Sequence, residues 1–281
     1  MIKRVVVIGN GFDLNLGLKT SYADYINSPF FQAICPFNNL CEFLYEKYKA
    51  CDWVDVEIAL LEYANQTNNY RILYKEYLGL KESLCNYLLS IDTSKYVDGA
   101  KAYGLIEQIF RQSLKLGDEL DTTILNFNYT NIAQKIIEDH LSQFKSRDRD
   151  FKMQFKDVHG TLSFGNIILG YNGVKELKDD HDFFVEKSSN KNYAEYNEIL
   201  LGSDQVIIIG HSLGESDEVM FKTLFATKRT NDLPRVLIFY YKKEGYDALV
   251  NRIEGMTGEN IEVLTDKKRI RLEDIDNYIH L

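Results

Sequence analysis

Four consecutive apolar residues, Val5, Val6, Val7 and Ile8, run straight into Gly9-Asn10-Gly11-Phe12-Asp13. A β-branched run without polar alternation predicts a strand buried on both faces, as in the middle of a parallel sheet. The glycines allow a tight turn into a helix, a place where α/β proteins bring backbone close to phosphate. Gly17 and the helix-start signal Thr20-Ser21-Tyr22 follow. The third glycine of a dinucleotide fingerprint would fall at Leu14, and no strand with an acidic ribose ligand follows at about twenty residues. A plain structural turn is therefore the competing reading of this segment.

Further strand-like runs lie at residues 122–126, 155–159, 167–169, 205–209, 236–240 and 261–264. Helical patterns separate most of them, which predicts an open parallel sheet with crossover helices. Between the first and second runs the apolar spacing turns helical, as in Leu60, Leu61 and Ala64 and then Leu84, Tyr87, Leu88 and Ile91. The expected fold is α/β: a single Rossmann-like domain over residues 1–281, an open parallel sheet with a helical insertion at about 22–118 after the first strand. Ser21 and Asp24 fit a capping box at the start of that insertion. A second helix is expected to begin at Asp52, with Asp55 in its first turn and Trp53 and Glu57 on one face.

The 33 basic and 42 acidic residues give a net charge of −9, so no overall field draws nucleic acid, and binding to it is not expected. No apolar run approaches the roughly eighteen residues of a membrane span, and Met1 to Arg4 lead directly into the first strand, so a cytoplasmic protein without membrane contact is expected. Cys35, Cys41, Cys51 and Cys85 lack paired metal-site spacing and are read as free thiols; no metal is expected. The 19 tyrosines, many in the insertion, suit helix packing or a partner surface, including a homo-oligomer.

Four predicted strand ends carry unusual glycine or polar residues: Gly9 to Asp13, Asn126-Phe127-Asn128-Tyr129-Thr130, Val158-His159-Gly160-Thr161, and Gly210-His211-Ser212-Leu213-Gly214-Glu215-Ser216-Asp217. The carboxyl ends of parallel strands share one crevice, so these segments are expected to converge on a ligand. Each has a structural alternative. Asn128 could cap a helix over 130–144, His159 could satisfy a strand-end carbonyl, and Ser212 could cap the helix after Gly210.

The order G-N-G-F-D, N-F-N-Y-T, V-H-G-T, G-H-S-L-G-E-S-D resembles the AbiH family of bacterial abortive-infection proteins over nearly the whole chain. That family in turn looks distantly similar to sirtuin-type NAD-binding domains, with their G-A-G-x-S, T-x-N-x-D, H-G and G-x-S-L motifs. The resemblance implies a sirtuin-like domain that binds NAD as a substrate rather than as a prosthetic group, with a phage-derived trigger. It implies a phosphate loop at Gly9, Asn10, Gly11, Phe12 and Asp13 with Thr20, catalytic residues Asn128 and His159, and a ribose-side turn at Gly210, His211, Ser212 and Asp217. Asp13 stands where sirtuins carry serine and Thr130 where they carry aspartate. The zinc-binding cysteine pairs of sirtuin deacylases are missing, so NAD cleavage is favoured over deacylation.

Breaking the nicotinamide–ribose bond builds positive charge on the sugar and needs no proton on the leaving ring. Asn128 would orient water or a ribose hydroxyl, and His159, with an ordinary pKa of about 6.5, would act as base. Asp13 and Glu57 are candidates to face the cationic sugar. Two other readings compete. Gly210 to Gly214 is a complete G-x-S-x-G, which would make Ser212 a hydrolase nucleophile, with His280 and one of Asp232, Asp247 or Asp266 as partners. A nucleotide-holding sensor that cleaves nothing is the other.

Overall fold

The computed structural model describes residues 1–51, 55–97, 99–143, 152–170, 192–225, 233–266 and 269–277. Six strands, β1 (Ile2–Ile8), β2 (Leu120–Asn126), β3 (Lys152–Asp157), β4 (Gln205–Ile209), β5 (Arg235–Tyr240) and β6 (Ile270–Asp274), form one sheet. Its order is β3-β2-β1-β4-β5-β6 and every pairing is parallel. This is the Rossmann-like order, in which the chain builds one half of the sheet outward from β1 and then returns to build the other.

The opening apolar run is central because both of its faces are covered. Val5 and Val7 pack with Phe221, Leu224 and Ile253 on one side, while Val6 and Ile8 pack with Ile106, Phe110 and Ile136 on the other. Burying each such side chain contributes about 1.5–3 kcal/mol, so a polar residue here would be costly. The second layer is built from α1 (Asn10–Asn15), α7 (Lys101–Leu116) and α8 (Ile132–Gln143). Helices Asn192–Leu201, Glu218–Phe225 and Lys242–Thr257 supply the first.

After β1 come α2 (Tyr22–Ile26), α3 (Pro29–Ile34), α4 (Asn39–Cys51), α5 (Val56–Gln66) and α6 (Tyr70–Leu89). They surround an apolar cluster of their own that includes Tyr25, Phe31, Leu44, Leu60 and Tyr77. Helix α7 falls inside the span assigned to the insertion, yet its Ile106, Ile109 and Phe110 pack on the sheet as the crossover between β1 and β2. By packing, the separate helical unit is therefore 22–89. Ser21 and Asp24 form the expected capping box, each side chain bonding the other's backbone N–H. Helix α5 begins at Val56, capped by Asp55, rather than at Asp52; Asp52 and Trp53 lie outside the described residues.

Two strand assignments are corrected. Residues 167–169 are not a strand: Ile167 and Leu169 enter the insertion's apolar cluster, and the Ile168 N–H donates to the His159 carbonyl at 2.7 Å. Residues 261–264 belong to a helix, Ile261–Asp266, because Ile261 and Leu264, three apart, meet the core from one helical face. The sixth strand is instead Ile270–Asp274, a partly exposed edge whose Arg271, Glu273 and Asp274 hide it from a search for apolar runs. Among the described residues no helix is long and apolar enough to cross a membrane.

Candidate functional site

The carboxyl ends of β1 and β4 meet where the strand order reverses, and there the backbones interlock. Gly210 has φ +67°, and a Cβ on it would lie 2.2 Å from the Phe12 nitrogen; a Cβ on Gly9 would lie 2.5 Å from the His211 Cα. Only glycine fits such an approach. The Gly9 N–H donates to Ile209, Gly11 to Gly210 and Phe12 to Gly9. These three amides are engaged inside the fold. The Phe12 ring is fully buried in the apolar cluster beside the sheet.

Above this junction lies a cavity of about 530 Å³, within the usual range for a small-molecule site. Gly9, Asn10, Gly11, Asp13, Thr20, Asn128, His159, Gly210, His211, Ser212 and Asp217 all line it, together with Glu57 from the insertion. Asn10 and Thr20 hold each other, the Thr20 hydroxyl donating to Asn10 Oδ1 at 2.6 Å and the Asn10 amide to the Thr20 carbonyl at 3.1 Å.

Asp13, on α1, is 1% exposed. Its carboxylate accepts the Asn128 amide at 2.8 Å and the Thr130 hydroxyl at 2.5 Å. Burial pushes this carboxyl up to about 6, against the opposing pull of those two hydrogen bonds. Since Asn128 Nδ2 is committed to Asp13, its carbonyl Oδ1 is the atom left over, and that oxygen is buried without a partner among the described residues. The neighbouring Asn126 shapes the loop: its amide reaches the Asn128 and Thr130 carbonyls, and its oxygen accepts the Asn128 N–H. Asn128 is therefore no helix cap, and α8 starts only at Ile132.

His159 and His211 flank one carboxylate. Asp217 Oδ1 lies 3.2 Å from His159 Nε2, and Oδ2 lies 3.6 Å from His211 Nε2. The Phe127 ring packs edge-on against both imidazoles. His211 Nδ1 accepts the Leu213 N–H at 3.0 Å, which makes Nε2 its protonated nitrogen, aimed at Asp217. Tyr193 places its hydroxyl 3.0 Å from His159 Nε2. Nothing in the motif pattern marked Tyr193. Tyr22 and Tyr129 also line the cavity; they stood within recognised motifs, but only the fold shows their position.

Ser212 is exposed, and Gly214 rather than Ser212 precedes the next helical turn, Glu215–Asp217. The left-handed backbone falls on Gly210 and Leu213 instead of the serine. Both nitrogens of the adjacent His211 are directed elsewhere. Of the expected hydrolase partners, His280 and Asp232 lie outside the described residues, as does the Asp266 side chain, and Asp247 pairs with Lys243 on the surface.

Four carboxylates, Asp13, Asp55, Glu57 and Asp217, line the cavity, while no lysine or arginine does among the described residues. Such a wall favours hydroxyls and positive charge. No curated protein matches the chain. The family model described as bacteriophage abortive infection AbiH matches residues 5–240, most of the chain, including all four strand-end motifs. The chain thus belongs to the AbiH family, and its role is in phage abortive infection.

Proposed function

We propose that the cavity binds NAD and that the protein hydrolyses it to nicotinamide and ADP-ribose. The observation that carries this reading is Asn128, which lines the same cavity as His159 and whose buried Oδ1 has no partner among the described residues. A buried carbonyl oxygen without a donor costs about 1–3 kcal/mol unless a ligand supplies one, and a ribose hydroxyl or the attacking water does so. Cleavage then proceeds with the carbon–nitrogen bond leaving its electron pair on the nicotinamide nitrogen. The water oxygen bonds to the sugar carbon, and the water's proton passes to His159.

The acidic wall suits this chemistry, because positive charge grows on the sugar as the bond breaks. Asp13 and Thr130, the two departures from the sirtuin pattern, hydrogen-bond each other, the Thr130 hydroxyl donating to the carboxylate. Calorimetric titration with ADP-ribose and NAD tests the pocket without its trigger, and both are expected to bind. Heat from neither ligand would overturn the reading. If NAD binds and turnover stays absent in phage-infected cells, sensing replaces hydrolysis.

A further inference from the structure

Asp13 accepts at both of its oxygens. Oδ1 takes the Asn128 amide at 2.8 Å and Oδ2 takes the Thr130 hydroxyl at 2.5 Å, and among the described residues the carboxylate has no other hydrogen bond. Asn126 holds both backbone polar groups of Asn128, accepting its N–H and donating to its carbonyl, each at 3.2 Å. One freedom is left to the Asn128 side chain, the half-turn that exchanges Nδ2 and Oδ1. An ionised carboxylate only accepts, and so does an amide oxygen, so the exchanged arrangement would set two acceptors at that 2.8 Å separation with no proton between them. The amide is therefore locked with its nitrogen on Asp13 and its oxygen turned away.

Asn128 lines the cavity, and its buried Oδ1 has no partner among the described residues. A ligand that satisfies this atom must donate a hydrogen bond. On the reading that the ligand is NAD, we infer that Asp13 is a positioning residue: it fixes Asn128 as an acceptor for a hydroxyl of the ribose that bears nicotinamide. A hydroxyl donates, whereas fluorine in its place cannot, and a site whose buried polar group an analogue leaves unpaired rejects that analogue. Asp13→Asn removes the lock. The new amide oxygen takes the Thr130 hydroxyl and the new nitrogen donates to Asn128 Oδ1, which requires the exchanged amide and turns Asn128 Nδ2 to the ligand. Protonation of Asp13 has the same effect, because the carboxyl gains a donor. Burial raises this carboxyl to about 6, so the lock opens between pH 7.5 and pH 5. Asp55, Glu57, His159, His211 and Asp217 line the same cavity without hydrogen-bonding Asp13, and their charge changes act on both sugars, so the ratio of the two affinities isolates Asp13.

The test is calorimetry with three probes: ADP-ribose, and its two analogues in which one or the other secondary hydroxyl of the terminal ribose flanking the ring is replaced by fluorine. Wild-type protein at pH 7.5 is expected to bind one of the two analogues at least tenfold more weakly than ADP-ribose. That penalty should shrink severalfold in Asp13→Asn, and also in wild type at pH 5. Both analogues binding within twofold of ADP-ribose in wild type at pH 7.5 would overturn this inference and leave the NAD reading standing. A penalty undiminished by Asp13→Asn and by pH 5 would remove Asp13 from the role. Failure of ADP-ribose itself to bind would instead remove the NAD reading. The wild-type comparison between the two pH values decides the matter even if the variant does not fold.

Discussion

The Asn128 amide donates to Asp13 at 2.8 Å, joining residues 115 positions apart and tying the first loop to the end of the second strand. Because the acceptor is a buried carboxylate, this bond belongs to the stronger class, worth about 1.5–3 kcal/mol. Asn128→Ala is therefore expected to lower unfolding free energy by about that amount at pH 7.5, where Asp13 is ionised, and by less at pH 5. Urea unfolding at the two pH values measures it. An equal loss at both would show that the carboxylate charge is not what the amide answers.

Asp13 also gives the fold a pH dependence of definite sign. Its native value of about 6 lies above the ordinary 3.8, so the folded protein holds this proton more tightly than the unfolded chain. The stabilisation is complete below about 3.8 and is lost as pH rises through about 6. Two pKa units correspond to roughly 3 kcal/mol at most. The stability of wild type relative to Asp13→Asn should accordingly fall by up to that amount between pH 4 and pH 7.5. Parallel stability curves for the two proteins would contradict the assignment.

The interlocked glycines predict a contrast between two alanine substitutions. Gly210→Ala forces a Cβ to within 2.2 Å of the Phe12 nitrogen at φ +67°, and should abolish soluble expression or lower the melting temperature severely. Gly255→Ala, in the exposed interior of helix Lys242–Thr257 with nothing near the new carbon, should stabilise by about 0.8–1 kcal/mol through helix propensity. Similar melting temperatures for the two variants would remove the steric argument.

The two catalytic readings separate on two residues. His159→Ala should reduce NAD turnover by roughly 10²–10⁴-fold, as expected for loss of a general base. A fluorophosphonate probe should leave Ser212 unlabelled, because the adjacent imidazole is engaged with Leu213 and Asp217. Mass-spectrometric detection of a Ser212 adduct would restore the hydrolase reading.

Much of the architecture was legible in the chain. The β-branched runs at β1 and β4 announce strands covered on both faces, and the Ser21–Asp24 box marks a helix start through purely local hydrogen bonds. Edge strand β6 was not legible, since half-exposed Arg271 and Glu273 carry no apolar pattern. Residues 167–169 misled for the opposite reason: they are apolar because the insertion buries them, not because they pair in a sheet. One cavity gathers most of the residues named at the strand ends, but their connections were not legible in the sequence. Gly9 and Gly11 read as phosphate ligands, whereas the fold uses them to let two turns pass within contact distance.

By itself the sequence determined the parallel α/β sheet, the helical unit after the first strand and the four motifs that end its strands, because periodicity, caps and turn residues act over a few neighbouring positions. Only the tertiary structure decided that Asp13 answers Asn128 and Thr130, that Asp217 stands between two histidines, and that Glu57 reaches the site from the insertion. Those relationships arise when segments distant in the chain are packed into one crevice, and burial there raises the pKa of Asp13. No local pattern encodes a partner that only packing brings near.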